Sequence, residues 1–308
     1  MLDIIIISYN GRNLTVNCIN SILDSYFYKY IDNIKITIVD NNSSDDTIEY
    51  ISKHYPEIEI IKNKENLGYS AAVNIGMKNT KNDYVIITNN DVVFTEHSID
   101  ILLTSIKNIP KAGLIGPQQF YPNGKWQRSY GDFSGIKCGL KYLFCITLIV
   151  NIFNKYFYNI NNKNRKRKKV EYIDGATLLV SRKIFNVIDG FDEDYFFYGE
   201  DMDFSYKLKI RNYNRYIIPK AIVYHHRGGS DIKKTFTKEK QELLIDAKIL
   251  FCNKHLNLIN KKLYIILEKL HHITMLYFFS FLIKIKNTEQ IKNKQNYYKI
   301  MSDIWLKK

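Results

Sequence analysis

The chain has 308 residues, of which 45% are hydrophobic, enough to bury a substantial core, so an intrinsically disordered protein is excluded. Lys and Arg number 45 against 31 Asp and Glu, and the net charge of +14 favours an anionic partner such as a phosphorylated substrate, a membrane surface or nucleic acid. The four cysteines form no CxxC pair and have no histidine at zinc-finger spacing, which argues against a disulfide framework or structural zinc and favours a reducing, cytoplasmic setting.

Elements in the first 93 residues alternate between β-branched runs and segments of helical length. The run Met1-Leu2-Asp3 has no basic residues before the isoleucines, so we interpret it as the start of a strand rather than as a signal peptide. Strands are predicted at Ile4–Ser8, Ile34–Val39, Ile58–Ile61 and Tyr84–Thr88. Helices are predicted near Leu14–Leu23, Asp45–His54 and Ser70–Lys78. This βαβ order indicates a sheet of buried parallel strands, whose ligand site lies at the carboxyl ends of the strands.

Three of these strands end in polar residues: Ser8-Tyr9-Asn10, Asp40-Asn41-Asn42 and Asn89-Asn90-Asp91. An oxygen-rich strand end suits a hard divalent cation that holds a diphosphate. The alternative for the last of them, an ordinary polar turn after a core strand, stays open.

Two neighbouring segments extend this hypothesis. After the second strand, Asp40 could accept a hydrogen bond from a nucleotide base, and Ser44 could cap the following helix; the two interpretations are compatible. Gly68 permits a tight turn near a ligand. No G-x-G-x-x-G motif follows any predicted strand, which argues against a dinucleotide fold of the dehydrogenase type.

Beyond Pro110 the pattern is less regular. We predict a strand at Leu114–Pro117, strand-like residues at Tyr172–Val180, a helix starting near Glu200 and a pair of strands around 216–223. The tail from residue 236 onward is predicted to be mostly helical.

Two apolar stretches, 139–160 and 263–285, are tested as membrane spans. Both contain charged residues near their centres, so neither is a convincing transmembrane helix. Two interpretations stay open for each: an amphipathic helix lying at a membrane surface, or a buried helix. The basic run Arg165–Lys169 would add attraction to anionic headgroups.

Two constellations in the second half carry chemistry. Acidic and aromatic residues crowd the segment 190–203, and like charges in a partly apolar site raise one another's pKa, so this segment could supply a general base. A solvated loop and helix start is the alternative, against which the run of four aromatic residues at 195–198 argues. The segment 224–230 contains a histidine pair that could ligate a metal, with Arg227 and the glycine amides available for phosphate.

Taken together, seven segments resemble the inverting GT-A glycosyltransferases of family 2, in particular the rhamnosyltransferase-like branch. They are SYNG, VDNNSSDDT, ENLGYSAAVNIG, NND, the GA at 175–176, GFDEDYFFYGEDMDF and YHHRGGS, in this order over roughly residues 2 to 230. The resemblance implies the α/β GT-A fold of nucleotide-diphospho-sugar transferases, with a mostly parallel central sheet flanked by helices. It implies a transferase domain over 1–235, with a nucleotide-binding half (1–110) and an acceptor half (111–235), and leaves 236–308 as a helical C-terminal extension.

The resemblance also implies a donor site that holds Mg²⁺ or Mn²⁺. The metal ligands would be Asp91 and His225; Asn89 stands where many family members have aspartate, so direct ligation rests on a single carboxylate. The residues that bind the nucleotide sugar would be Tyr9, Asn10, Asp40, Asn42, Asn66, Gly68, Asn74, Asn89 and Asn90.

Catalysis is implied at the start of the helix near residue 200. Asp201 matches the family's base, which deprotonates the acceptor hydroxyl, and Glu200 lies beside it. Tyr198 would shape the acceptor pocket, and Trp126 is a hypothesis for a sugar-stacking platform that no motif supports.

The favoured function is therefore inverting transfer of rhamnose from dTDP-rhamnose to a hydroxyl of a cell-surface polysaccharide or lipid-linked acceptor. We expect a cytoplasmic protein and keep peripheral contact with the inner face of the cell membrane as an open alternative. The other candidate donors are a UDP-hexose or UDP-N-acetylhexosamine. A non-catalytic nucleotide-binding protein of the same fold also stays open, supported by Asn89 and the net charge. Nucleic acid is not an expected partner, because the basic residues are dispersed apart from 165–169 and form no binding motif.

Overall fold

The computed structural model describes residues 2–30, 34–157, 166–227 and 237–308, with the side chains of 152–157 left aside. Four predictions lie wholly or partly outside these described residues. They concern Arg165, the glycines and serine at 228–230, residues 152–160 of the first apolar stretch as a membrane-surface helix, and the domain boundary at 235.

The elements follow one another along the chain as two series. The first series is β1 (Leu2–Ser8), α1 (Arg12–Leu23), α2 (Tyr26–Tyr30), β2 (Ile34–Asp40), α3 (Thr47–His54), β3 (Glu59–Lys62), α4 (Gly68–Lys78) and β4 (Tyr84–Asn89). The second series is β5 (Val92–Phe94), α5 (Ser98–Asn108), β6 (Ala112–Phe120), β7 (Tyr130–Gly131), α6 (Ile136–Leu143), α7 (Ile146–Phe157), β8 (Lys168–Lys169), β9 (Tyr172–Ile173), β10 (Thr177–Ser181), α8 (Arg182–Val187), α9 (Glu200–Ile210), β11 (Asn214–His225), α10 (Lys238–His255), α11 (Leu258–Ile285) and α12 (Glu289–Leu306).

The first series confirms the predicted βαβ array. β3, β2, β1 and β4 lie side by side in that order, and every pair among them is parallel. All seven residues of β1 are buried, because helices cover both faces of the sheet. The predicted N-cap at Ser44 is wrong: α3 begins at Thr47, and the Ser44 amide instead donates to Asn10 Oδ1 at 2.8 Å.

The second half of the nine-stranded sheet mixes the two directions. β10 runs antiparallel to β4 and β6, whereas β11 runs parallel to β6 and antiparallel to β5. The predicted strand pair around 216–223 is wrong, because β11 is one twelve-residue strand whose register against β6 shifts between Ile218 and Ile222. Pro219 lies at this shift; it has no N–H to donate, so it looks like a turn in sequence and is accommodated as a bulge in the strand.

The chain divides into two compact units. The first comprises Met1–Asp132 with Phe157–Thr235 and contains the sheet, and the second comprises Phe133–Tyr156 with Phe236–Lys308 and is helical. Phe251, Tyr264 and Trp305 are fully buried in the second unit. The helical extension predicted from residue 236 thus shares its unit with α6 and most of α7, which the sequence-based division had assigned to the acceptor half. The domain boundary itself stays a prediction.

α11 is the one helix among the described residues that is long and apolar enough to cross a membrane. Length and composition alone support this, and a core helix of a water-soluble protein passes the same test. One face of α11 is buried within its own unit through Tyr264, Glu268, His271, His272 and Met275.

A glycine-dependent contact joins the start of α4 to the loop before α9. Gly68 has φ +80°, and a Cβ there would collide with the Phe196 carbonyl oxygen, to which the Tyr69 amide donates a hydrogen bond of 2.9 Å. Glycine is therefore required at position 68, because the backbone there is left-handed and because the Phe196 carbonyl leaves no room for a Cβ.

Gly68→Ala should lower the free energy of unfolding by about 2 kcal/mol or more, since it adds a collision to the strain of positive φ. The matched control is Gly124→Ala, at φ +75° with no atom within 4 Å of the added Cβ, which should cost about 1 kcal/mol. Chemical denaturation measures both; equal costs would mean that the contact with Phe196 contributes nothing.

Candidate active site

The ends of β1, β2 and β4 are tied together by asparagine side chains. Asn90 Nδ2 donates to the Asn10 carbonyl at 2.9 Å and lies 3.0 Å from Thr15 Oγ1, which links the end of β4 to the end of β1. Asn10 adopts a left-handed φ of 57°, which asparagine tolerates, and its amide donates to Ser43 Oγ at 2.8 Å. The three polar strand ends therefore lie on one edge of the sheet, as the sequence predicts.

At the end of β2, the buried and the exposed side chains have different roles. Asp40 is fully buried, and its carboxylate accepts hydrogen bonds from the amide and hydroxyl of Ser43, so it shapes the loop. Asn42 and Tyr9 are exposed, Tyr9 by 53%. Of the residues predicted to surround the base and ribose, these two offer free surface to a ligand.

Asn66, Gly68 and Asn74 serve the protein's own loops. Asn66 Oδ1 accepts from the Gly68 amide at 3.0 Å, and Gly68 packs against Phe196 as described above. The Asn74 amide group clamps the loop after α8: it exchanges hydrogen bonds of 2.8 and 3.0 Å with the Phe191 backbone and reaches Glu193 Oε1 at 2.8 Å. We therefore assign Asn74 to positioning this loop rather than to the donor.

Asp91 and His225 meet because β5 pairs with β11. Val92 lies opposite His225 in this pairing, and the His226 amide donates to the Asp91 carbonyl at 3.0 Å. The two side chains consequently face each other, with His225 Nε2 3.3 Å from Asp91 Oδ1 and only 7% and 11% of their side chains exposed. Asn89, at the end of β4, donates its backbone amide to the Ala176 carbonyl at 3.0 Å.

The tautomer of His225 follows from its other nitrogen. Nδ1 lies 2.9 Å from Gln127 Oε1 and 3.2 Å from Gln119 Oε1, both of which can only accept hydrogen bonds, so Nδ1 carries a proton. In the neutral ring Nε2 then presents a lone pair towards Asp91. Asp91 Oδ1 accepts no hydrogen bond from the described residues, although it is buried.

Two lone pairs that face each other in a buried place are an unfavourable arrangement unless a cation lies between them or the ring is protonated. An imidazole nitrogen and a carboxylate oxygen are suitable ligands for Mn²⁺ or Mg²⁺, so the residues fit the metal that the family implies. Within the described ranges, no three His, Cys, Asp or Glu side chains are placed so that they could hold a metal ion together.

The second half of the site is built around Asp201 at the start of α9. Its Oδ1 accepts from the Met202 amide at 2.7 Å and its Oδ2 from the Gly175 amide at 3.1 Å. These two bonds fix the carboxylate between the first turn of α9 and the loop that joins β9 to β10. Burial and, after it, the charge of Asp174 raise the pKa of Asp201 to about 7, against the opposing effect of the two amides and Arg227.

Glu200 differs from its neighbour. Burial, followed by the charge of Asp201, raises the pKa of Glu200 well above its ordinary value, and Oε2 accepts or donates no hydrogen bond among the described residues. The raised pKa of Glu200 favours its protonated form, which can donate a hydrogen bond, whereas Asp201 exchanges its proton near neutral pH. Burial also raises the pKa of Tyr198 to about 12, which keeps its hydroxyl a donor.

The approach to α9 turns sharply. Tyr198 and Gly199 have φ of 73° and 86°, two consecutive left-handed residues that bring Glu200 into the first helical turn. Trp126 pairs with Phe120 in an isolated bridge at the end of β6 and precedes Gln127, which contacts His225. Its assignment to the acceptor stays a hypothesis.

Three contributors were missed in the sequence. Gln119 and Gln127 orient His225, and Asp174, in the loop that joins β9 to β10, lies 3.7 Å from the guanidinium of Arg227. A glutamine inside the apolar run of β6 could have indicated a polar contact at this place, because a buried amide in a strand needs a polar partner. Asp174, directly before the GA pair, carried no signal by itself.

The model of the family described as Glycosyl transferase family 2 matches residues 3–189. The chain belongs to glycosyltransferase family 2. Among its relatives, the N-acetylglucosaminyl-diphospho-decaprenol L-rhamnosyltransferase of Mycobacterium tuberculosis is 30% identical over 209 residues, which cover 64% of this chain and 68% of the relative. Rhamnosyltransferase WbbL of Escherichia coli K12 is 26% identical over 238 residues, or 69% of this chain and 84% of WbbL.

Solved structures show that this family 2 glycosyltransferase has the GT-A fold. The mannosyltransferase PcManGT from Pyrobaculum calidifontis, in complex with GDP-Man and Mn²⁺, superposes with a TM-score of 0.62 at 11% identity, covering 99% of this chain and 86% of that one. TarS 1-349 of S. aureus, in complex with UDP-GlcNAc, gives a TM-score of 0.53 at 14% identity, covering 96% and 79%. The fold predicted from the sequence motifs is confirmed.

The raised pKa of Asp201 has a consequence for stability. Because its pKa in the folded protein is about 7 against an ordinary value of 3.8, its contribution is fully present below pH 3.8 and is lost as the pH rises through 7. The Asp201→Asn variant has no ionisable group at this position, so it does not lose stability in this way as the pH rises. The free energy of unfolding of the variant minus that of the unaltered protein should therefore be about 1–3 kcal/mol larger at pH 8 than at pH 5. Denaturant titration at both pH values measures this difference.

The exposed acid Asp189 provides the matched control, since Asp189→Asn should show no such dependence on pH. A difference for Asp201→Asn that is the same at pH 5 and pH 8 would show that Asp201 ionises near its ordinary pKa.

Proposed function

We propose that this glycosyltransferase moves a sugar from a nucleoside-diphosphate donor to an acceptor hydroxyl with inversion, using Asp201 as the base. The observation that carries the proposal is the placement of Asp201: half-buried, held by the amides of Met202 and Gly175, and with a pKa raised to about 7. A base with a pKa near the working pH combines a deprotonated population with useful proton affinity.

In the proposed reaction, the acceptor hydroxyl gives its proton to Asp201 while its oxygen attacks the anomeric carbon. The new C–O bond forms on the face opposite the diphosphate, whose bond to the same carbon breaks, so a single displacement inverts that carbon. The Tyr198 hydroxyl, and the Glu200 carboxyl in the protonated form that its raised pKa favours, can donate hydrogen bonds that orient the acceptor. No covalent intermediate with the protein is required.

Mg²⁺ or Mn²⁺ would be held by Asp91 Oδ1 and His225 Nε2, with Gln127 and Gln119 maintaining the required tautomer of the ring. When bound, such an ion neutralises the negative charge that develops on the departing diphosphate. Asn89 in place of a second carboxylate reduces the charge of the site, which predicts modest affinity for the metal.

For the donor we favour dTDP-rhamnose, because the named relatives from M. tuberculosis and E. coli are rhamnosyltransferases. A UDP-hexose or UDP-N-acetylhexosamine is the alternative. A cell-surface polysaccharide or a lipid-linked glycan is the proposed acceptor, in line with the decaprenol-linked acceptor named for the M. tuberculosis relative. We place the reaction in the cytoplasm, with peripheral contact to the inner face of the cell membrane.

A non-catalytic nucleotide-binding protein of the same fold is the second candidate, and Asn89 is the observation that favours it. A binding protein has no need of a buried carboxylate with raised pKa, so the behaviour of Asp201 discriminates between the two.

Asp201→Asn should lower kcat by at least about a thousandfold while leaving the affinity for the nucleotide within about twofold, because it removes the proton acceptor alone. In the unaltered enzyme, kcat/KM should rise about tenfold per pH unit below pH 7 and level off above it. Steady-state transfer assays measure both, with Asp189→Asn as the control expected to match the unaltered enzyme. Weaker donor binding by Asp201→Asn would place this residue in the donor site instead.

Asp91→Ala should abolish the metal-dependent part of nucleotide binding, measured by calorimetry with dTDP and with UDP, each with and without Mn²⁺. Asn89→Asp is the matched variant: it adds a second carboxylate, so binding of Mn²⁺ with the nucleotide should tighten. Preference for dTDP supports the rhamnose donor and preference for UDP the alternative. Metal dependence that survives Asp91→Ala contradicts the metal assignment.

A further inference from the structure

The positive charge of the chain is concentrated in the helical second unit. Residues 133–156 and 236–308 contain 17 lysines, no arginine and six acidic residues, so this unit carries a net +11 of the total +14. The sheet-containing first unit, where a diphosphate would bind, is close to neutral by comparison. The excess charge is therefore not explained by the donor site and calls for another anionic partner.

α11 exposes an apolar face in this same unit. The face consists of Ile259, Leu263, Ile266, Leu270, Tyr277 and Phe281, whose exposed fractions range from 44% to 73%. Steps of three, four and seven residues place them on one side of the helix. At 1.5 Å per residue the α11 face is about 33 Å long. Exposed apolar surface of this extent on one element marks an interaction site.

The opposite side of α11 is packed against the unit's own helices. Glu268 is 1% exposed and pairs with Lys248 of α10 at 3.7 Å, and His272 is buried beside it, its Nδ1 lying 2.7 Å from the Glu268 carbonyl. Gly139 of α6 lies against Leu267, where an added Cβ would come within 2.8 Å of the leucine side chain. Because protein covers this side, α11 presents only its other side to a partner.

A second exposed apolar group lies on the α6–α7 segment of the unit: Phe144, Ile146, Leu148, Ile149 and Val150, exposed by 43% to 66%. This segment has three lysines and no acidic residue between 133 and 156. Lys262 and Lys269 lie on α11 about a quarter-turn from the α11 face, at its margin. Exposed apolar side chains bordered by lysines are typical of helices that lie in a membrane interface.

We propose that the α11 face docks on an anionic lipid bilayer, with its apolar side chains in the boundary between headgroups and acyl chains and its lysines among the headgroups. Charge decides against a second copy of the chain as the occupant, since two units of +11 repel each other whereas an anionic bilayer attracts both. The inference deepens the membrane contact in the proposed function and is independent of the transfer chemistry.

The test is co-sedimentation of the purified full chain with vesicles of phosphatidylglycerol mixed with phosphatidylcholine, and with vesicles of phosphatidylcholine alone. The chain should bind the anionic vesicles roughly tenfold or more tightly than the neutral ones, and added salt should weaken this binding. The double variant Leu270→Glu with Phe281→Glu should lose affinity for the anionic vesicles by roughly tenfold or more.

The matched control is the double variant Ile210→Glu with Leu306→Glu, whose side chains are 58% and 57% exposed and lie outside the α11 face. It makes the same change in net charge, so it should stay within about twofold of the unaltered chain if the face itself inserts. Equal losses for the two double variants would overturn the inference. So would vesicle binding that survives high salt and alkaline carbonate and ends only in detergent, which indicates a spanning helix.

Light scattering provides a further arm. A dimer that Leu270→Glu with Phe281→Glu converts to a monomer would assign the α11 face to a second copy and overturn the inference. Calorimetry of dTDP and UDP with Mn²⁺ separates this inference from the proposed function. A chain that docks on vesicles but binds no nucleotide supports the membrane inference and refutes the proposed function. A chain that binds nucleotide but not vesicles supports the proposed function and refutes the membrane inference.

Discussion

The pairing of β5 with β11 is the constraint on which the donor side of the site depends. These strands are far apart in sequence, yet their register places Val92 opposite His225, and one backbone hydrogen bond joins His226 to the Asp91 carbonyl. A shift by one residue would turn one of the two side chains to the other face of the sheet. The bulge at Pro219 absorbs the irregularity of β11 before this pairing begins.

Opposing electrostatic effects set the pKa values of the carboxyl groups on the candidate catalytic side of the site. Three carboxyl groups, Asp174, Glu200 and Asp201, are held near Gly175. Burial and the repulsion among these charges raise the pKa values of Glu200 and Asp201. Backbone amides at the start of α9 and the guanidinium of Arg227 favour ionisation. The balance gives Asp201 a pKa of about 7 and raises the pKa of Glu200 well above its ordinary value. Two adjacent acids thereby acquire different roles from their surroundings alone.

The two compact units divide the physical tasks of the chain. The first unit contains the sheet, and Asn10 and Asn90 join the ends of its strands. This unit carries little net charge. The second contains the lysine excess and the exposed apolar side chains of α7 and α11, a combination that water alone does not favour. The pair of half-buried Lys248 and buried Glu268 joins one side of α11 to α10, while the other side of α11 is exposed.

The sequence by itself determined the βαβ half and the polar strand ends, because strand periodicity and end chemistry are local properties. Its resemblance to family 2 pointed to Asp91, Asp201 and His225 as site residues, and that assignment stays a prediction. Local patterns could not predict the β5–β11 register, the Gln127 contact with His225, or the use of Asn74 to hold a loop 117 residues away. Those are non-local contacts. Tertiary structure alone decided them, since packing places side chains that are distant in sequence within hydrogen-bonding range and sets how deeply each carboxylate is buried.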